Sequence, residues 1–283
     1  MEIQWYPGHM TKAMRQMSED IKLIDLLIEL VDARIPVSGR NPDLEKLGQG
    51  KARLILLNKS DLADAGENER WLRFYKEQGM QAVLLNSQKG NGISEIKEAV
   101  AAACKEKTER DQKRGIKNRP VRAMVVGIPN VGKSTFINSF AKKAVTKTGN
   151  RPGVTKGKQW IRLNPALELL DTPGVLWPKF EDRMAGLHLA MIGTINDEIL
   201  QTEELACECI DLLKAQYPGR IRDRYETAEE AEAYPLLESI AQRLGCLKKG
   251  GALDTERAAR LLIDDLRSGR LGRITIEKVK YAG

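Results

Sequence analysis

Two nucleotide-binding signatures occur in this chain in reversed order, and that order restricts the fold more than either signature does alone. Asn58-Lys59-Ser60-Asp61 fits the Asn-Lys-x-Asp tetrad that reads guanine. It precedes Gly127-Ile-Pro-Asn-Val-Gly132-Lys133-Ser134, which fits the phosphate-loop pattern G-x-x-x-x-G-K-[ST]. Guanine-nucleotide domains ordinarily carry the phosphate loop first. A parallel α/β sheet fixes where its strands lie in space, so one pocket can be rebuilt with new chain ends if the old ends were close together. The expectation is a circularly permuted α/β domain with a mixed, mostly parallel sheet, its new ends beside the segments that sense the γ-phosphate.

Each signature sits where its chemistry requires. Ala123-Met-Val-Val-Gly127 reads as a buried strand, and the glycines after it let consecutive backbone N–H groups turn inward around phosphate oxygens. Lys133 supplies a point charge between the β- and γ-phosphates, and Ser134 offers a hydroxyl to Mg²⁺. Asn130, Val131, Gly132 and Thr135 belong to the same binding stretch. The tetrad follows the apolar run Arg53-Leu-Ile-Leu-Leu57, at a strand's carboxyl end, where open α/β sheets bind ligands. Asp61 can accept from the N1–H and the exocyclic amine of guanine; adenine lacks that pair of donors and would leave the carboxylate unpaired. Val83-Leu-Leu-Asn-Ser87 reads as a strand and loop that could lay Asn86 and Ser87 against the base, and turn chemistry explains those two residues equally well.

Two further segments complete the set. Asp171-Thr-Pro-Gly174 ends the strand-like Leu167-Glu-Leu-Leu170; Asp171 would hold Mg²⁺ through water and the Gly174 amide would meet the γ-phosphate. Arg151-Pro-Gly-Val-Thr155 lies in a polar stretch between the P-loop and Asp171, so Thr155 could close on Mg²⁺ as a switch residue.

Charge divides the chain at about residue 180. Residues 1–179 carry 31 basic and 20 acidic side chains, a net +11, and residues 180–283 carry 15 and 19, a net −4, together the chain's +7. Lys142, Lys143, Lys147, Arg151, Lys156, Lys158 and Arg162 crowd the switch stretch with no acid among them. Either a polyanion approaches the γ-phosphate there or a lysine-rich loop is simply solvated. The basic stretch from Lys105 to Arg122 reads as the linker joining the old chain ends, with RNA contact as a secondary role. From residue 180 helical spacing recurs in Glu203–Ala215, Ala228–Leu244 and Thr255–Ser268, broken at Tyr217-Pro-Gly219 and Gly250-Gly251. This predicts a permuted nucleotide domain at 1–179 and a small all-helical domain at 180–283. The clusters Arg220/Arg222/Arg224 and Arg267/Arg270/Arg273/Lys278/Lys280 suggest a directed RNA or protein contact. No signal peptide or membrane span fits the amino-terminal sequence. Cys104, Cys207, Cys209 and Cys246 match no metal spacing and read as reduced structural thiols.

The set of motifs resembles the ribosome biogenesis GTPase A family of circularly permuted P-loop GTPases. The resemblance spans nearly the whole chain, through Trp5-Tyr-Pro-Gly-His-Met10, Asp32-Ala-Arg-Ile-Pro36 with Arg40-Asn-Pro42, the nucleotide motifs, and Arg267-Ser-Gly-Arg-Leu-Gly272. It departs from GTPases generally at Asn86-Ser87-Gln88, where a Ser-Ala pair is common. The resemblance implies a GTP hydrolase, cycling between GTP and GDP, that promotes late maturation of the bacterial large ribosomal subunit. Its implied partners are that subunit and its rRNA, in the cytoplasm, with neither membrane nor DNA involved.

Catalysis needs a group that the usual position lacks, because Val175 follows Gly174 where many GTPases carry a water-orienting glutamine. A helix from about Thr11 to Lys22, with Met10, Met14, Met17 and Ile21 on one face, would fill the switch-helix position from the other end of the chain and place His9 at its mouth. Histidine can orient water or accept a proton near neutral pH, and the family resemblance implies that His9 is catalytic; a structural histidine is the alternative. Asn130 resembles the asparagine through which some GTPases bind K⁺ beside the phosphates, the alternative being that it only tolerates the loop's geometry. His188, in an apolar helix-like run, reads as packing or surface. Two other classes stay open, a GTPase acting on tRNA and a nucleotide-gated RNA-binding module with little hydrolysis.

Overall fold

The computed structural model describes residues 8–116, 119–145, 160–172, 182–195 and 201–279; within these, the side chains of residues 8–11, 13, 142–145, 163, 164 and 171 lie outside the description. The apolar runs form a six-stranded sheet from β1 (Leu26–Asp32), β2 (Ala52–Asn58), β3 (Gln81–Leu84), β4 (Val121–Gly127), β5 (Trp160–Asn164) and β6 (Leu167–Asp171). The spatial order is β3-β2-β1-β4-β6-β5, and every pairing is parallel except β5 with β6. A central parallel strand is covered on both faces, which is why all of β1 is buried and reads as an apolar run. If the count starts at the P-loop strand β4, the order becomes 6-5-4-1-3-2, with three successive strands on each side of the β1/β4 junction. The expected permutation and the mixed sheet are both present.

Eleven helices are described: α1 (Gly8–Asp20), α2 (Pro42–Leu47), α3 (Ala65–Glu77), α4 (Ile96–Ala103), α5 (Lys105–Lys113), α6 (Lys133–Val145), α7 (Arg183–Met191), α8 (Thr202–Gln216), α9 (Arg220–Tyr225), α10 (Ala233–Arg243) and α11 (Thr255–Ser268). Successive strand residues point to opposite faces, and the core divides accordingly. On one face α1 packs Met17 and Ile21 against Leu27, Met124, Val126 and Leu170, while α3 packs Trp71 and Tyr75 against Val31, Ile55 and Leu57. On the other face Leu30, Val125 and Ile128 share one cluster with Leu189, Leu205 and Leu262. The helical part thus completes the core of the sheet it follows.

Several elements go beyond the sequence expectation. The linker contains a helix, α5, held where Lys107 reaches Asp25 and Asp111 at 3.2 Å each and Arg119 reaches Asp25 at 3.2 Å. Those basic side chains are paired within the chain, which leaves them less to offer an RNA. The edge strand β5 and the short helix α9 were not anticipated. After α11 the chain also returns to the nucleotide half: the Trp71 indole donates to the Glu277 carbonyl at 2.9 Å, and the Tyr217 hydroxyl, itself donating to the Thr275 carbonyl at 3.0 Å, accepts from the Thr275 amide at 2.9 Å. Among the described residues no helix is long and apolar enough to cross a membrane. All four cysteines are free thiols; burial pushes Cys104 up to about 11 and Cys209 up to about 12, as expected of unreactive packing groups.

Candidate functional site

Parallel register brings the motifs to one edge of the sheet. Asp32 pairs with Asn58, Leu30 with Gly127, and Val125 with Asp171, so β1 and β2 end level while β4 and then β6 stop progressively earlier along the same edge. Ligands of open α/β sheets bind outside such carboxyl ends.

The P-loop turns sharply between β4 and α6. Asn130 and Gly132 both adopt left-handed backbone, with φ of 60° and 96°. Gly132 is needed there for a second reason: a Cβ would lie 2.5 Å from Asn58 Nδ2. Asn58 uses that proximity to fasten three segments. Its Nδ2 donates to the Val131 carbonyl at 2.8 Å, and its Oδ1 accepts from the Ser87 amide at 3.0 Å. Ser139 on α6 donates to the Ser87 carbonyl at 2.7 Å. The tetrad, the P-loop and the loop after β3 therefore form one unit. Asn86 has its Oδ1 turned to the Gln88 and Lys89 amides, at 3.1 and 2.9 Å, so its side chain shapes that loop. Ser134 and Thr135 are exposed on the first turn of α6. The Lys133 ammonium lies on the Thr172 carbonyl at the end of β6, which links the P-loop lysine to the Asp171 strand.

Beneath the tetrad lies a buried charge cluster that the motif reading passed over. Asp32 accepts from Arg34 Nε at 2.9 Å and Nη2 at 2.8 Å, and it faces the Lys59 ammonium at 3.1 Å. Burial alone would raise the Asp32 pKa, yet the Arg34 and Lys59 charges and the Arg34 hydrogen bonds overcome it and hold the carboxyl well below the usual carboxylate range. Lys59 has a left-handed φ of 57°, and its pairing with Asp32 ties that turn to β1. Asp61 remains 38% exposed, with the Lys89 ammonium 3.8 Å away; it is the tetrad side chain open to a base. The Ser60 carbonyl accepts from Asn68 Nδ2 at 2.9 Å.

The carboxyl-terminal arginines supply the remaining support. Arg273 donates to the Ala63 carbonyl at 2.6 Å and the Ser60 carbonyl at 2.9 Å, and the Asp64 amide donates to Thr275 Oγ1 at 3.0 Å. Arg267 donates to the Met191 and Ala190 carbonyls at 3.1 and 2.7 Å. Arg270 pairs with Asp265, and the Lys278 ammonium stands 4.5 Å from the Tyr217 ring centroid. Within the cluster expected to make an RNA or protein contact, Arg267, Arg270, Arg273 and Lys278 are thus engaged within the chain. His188 is also engaged: its Nδ1 lies 2.8 Å from Glu277 Oε1 and 3.2 Å from Ser38 Oγ, joining α7, the loop after β1 and the carboxyl-terminal segment. Nothing in the local sequence announces partners so far away.

Several expected site residues fall at or beyond the described limits. His9 lies in the first turn of α1 and Asp171 ends β6, but their side chains are outside the described set, as are Thr155, Gly174, Val175 and most of the lysine-rich switch stretch. Among the described residues no group of three or more His, Cys, Asp or Glu gathers to hold a metal ion.

Known proteins match this arrangement closely. Residues 122–237 match the family model described as 50S ribosome-binding GTPase; that match begins at β4, as a permuted order requires. The chain is 47% identical to the Ribosome biogenesis GTPase A of Bacillus cereus, over 100% of this chain and 96% of that one. It is 30% identical to the Ribosome biogenesis GTPase A of Thermotoga maritima, over 98% of this chain and 94% of that one. Its fold is similar to that of GNP-bound YlqF from T. maritima, with a TM-score of 0.63 and 27% identity over 94% of this chain and 98% of the other. A relative sharing nearly half its residues across the entire chain leaves the nucleotide motifs in one inherited framework: this chain is a GTP-hydrolysing enzyme of the ribosome biogenesis GTPase A family.

Proposed function

We propose that the chain is a cytoplasmic, GTP-driven assembly factor that binds the precursor of the large ribosomal subunit and its rRNA and promotes its late maturation. The observation that supports this best is the Asn58 clip, which joins the base-reading tetrad to the P-loop in a chain whose relatives are named for ribosome biogenesis. In this reading residues 1–179 bind and hydrolyse GTP, and residues 180–283 present the ribosome-facing surface, tethered just after the Asp171–Gly174 switch. Asp61 reads guanine, with Asn58, Lys59, Ser60, Asn86 and Ser87 building its loop. Asn130, Val131, Gly132, Lys133, Ser134, Thr135 and Gly174 meet the phosphates.

The oxygen donors suit hard cations. The exposed Ser134 hydroxyl, with Asp171 and Thr155, is a donor set for Mg²⁺, and the left-handed turn at Asn130 lets its amide oxygen serve a K⁺. When bound, such cations neutralise charge on the phosphate oxygens. His9 orients the attacking water: a bond forms from the water oxygen to the γ-phosphorus, the bond to the β–γ bridging oxygen breaks with its electron pair leaving on GDP, and the water's proton passes to a γ-phosphate oxygen and leaves with inorganic phosphate. Val175 has no polar group for this task, and α1, which carries His9, packs through Met17 and Ile21 across β1, β4 and β6. The test is phosphate release by His9→Ala. The variant should lose roughly 10²- to 10⁴-fold in kcat with GTP affinity little changed; unchanged turnover would remove His9 from the mechanism.

A further inference from the structure

One residue outside the nucleotide motifs touches the supports of both ends of the site. The Arg267 carbonyl, in the last turn of α11, accepts from Arg34 Nη1 at 3.2 Å. The same Arg34 grips Asp32, which in turn holds Lys59 of the tetrad. The Arg267 guanidinium reaches the other way, to the Ala190 and Met191 carbonyls at the end of α7. It also packs against Gly193, where a Cβ would stand 3.1 Å from Nε. Gly193 has a φ of 78°, and its carbonyl accepts from the P-loop Asn130 Nδ2 at 2.9 Å.

Cationic side chains near a helix's carboxyl terminus satisfy the last carbonyls and complement the helix dipole. Arg267 does this for α7 from a different helix, and so fixes the turn that carries the Gly193 carbonyl. That carbonyl holds one side of the Asn130 amide. Because Nδ2 and Oδ1 share one planar group, holding the nitrogen also sets the direction of the oxygen.

We propose that Arg267 is a positioning residue for GTP hydrolysis, acting through α7 and Gly193 to aim the Asn130 amide oxygen into the phosphate site. This rests on the assignment of Asn130 to the phosphate and cation site above. Arg267 acts through other residues, by its bonds to the Ala190 and Met191 carbonyls and to Arg34. Its main-chain bond to Arg34 means that any displacement of α11 reaches the tetrad support and the P-loop together.

A double-mutant cycle on the full-length protein tests this, with phosphate release measured at saturating and limiting GTP. Arg267→Ala should lower kcat by about 10-fold, since small misplacements of a positioning group carry effects of this order, while KM for GTP changes by less than about 3-fold. Asn130→Ala should slow turnover comparably, and the double variant should be no slower than Asn130→Ala alone. Arg267→Lys, which keeps the charge and can still reach one carbonyl, should recover part of the rate. If Arg267→Ala fails to fold, Gly193→Ala takes its place in the cycle, because its Cβ disturbs the same turn. Multiplying effects, or wild-type turnover in a folded Arg267→Ala, would overturn the proposal. A wild-type chain without turnover would instead refute the proposed function.

Discussion

Replacing Asn58 with alanine tests whether the tetrad and the P-loop form one mechanical unit. The substitution removes the donor to the Val131 carbonyl and the acceptor for the Ser87 amide. Asn58, Val131 and Ser87 are only 1%, 1% and 3% exposed, so both stranded groups stay largely out of water. Leaving a buried polar group unpaired costs about 1–3 kcal/mol; two such groups, partly relieved by water entering the space, amount to about 2–4 kcal/mol. In a chain of this size each kcal/mol moves Tm by about 2–4 °C, so the midpoint should fall by about 5–15 °C. Thermal unfolding and GDP titration measure the two consequences, and affinity should weaken along with stability. Asn58→Asp is the stricter substitution. It keeps an oxygen facing the Ser87 amide but sets a second oxygen against the Val131 carbonyl, where the amide nitrogen now stands at 2.8 Å. It should be at least as damaging as alanine. An aspartate variant with wild-type Tm and GDP affinity would refute the clip.

Two other outcomes follow from the tetrad and its support. Asp61→Asn should weaken GTP binding and favour xanthosine triphosphate, because the amide offers a donor to xanthine's carbonyl; competition binding with both nucleotides measures it, and an unchanged preference for GTP would show that Asp61 does not read the base. Asp32 has a folded pKa depressed below its unfolded value near 4, so its contribution is complete above about pH 4 and is lost as pH falls toward the folded pKa. Asp32→Asn should flatten the acid dependence of stability below pH 4. It should also destabilise the protein at pH 7 by about 3–5 kcal/mol, since the buried Arg34 guanidinium loses its carboxylate partner; both are read by denaturant unfolding across pH.

The strands and the site-bearing turns were legible because parallel strands buried on both faces write themselves as short apolar runs, as in β1, β2 and β4, and their motifs occur at the carboxyl ends. Helices α1, α8 and α11 were legible from apolar spacing. Helix α5 was hidden by its composition, since Lys-Glu-Lys-Thr-Glu-Arg-Asp-Gln-Lys has no apolar stripe and is supported by Lys107–Asp111 and the ties to Asp25. Strand β5 is an antiparallel edge with one neighbour, and so lacks the continuous apolar pattern. The arginines misread most plainly were Arg267 and Arg273. Their partners are main-chain carbonyls of residues 76, 77, 210 and 213 positions away, and carbonyl acceptors carry no sequence signature. Ser38, His188 and Glu277 met for the same reason: topology brings them together, and no local pattern marks them.

In the proposed function, GTP switches the affinity of this chain for the large ribosomal subunit. Cosedimentation with purified subunits tests it directly, comparing a non-hydrolysable GTP analogue with GDP and using free tRNA as the competing ligand. The chain should pellet with large subunits in the analogue-bound state and be mostly released with GDP. Large subunits should accelerate GTP hydrolysis, while free tRNA does neither. Equal binding in both nucleotide states, or stimulation by tRNA and not by large subunits, would overturn the proposed function.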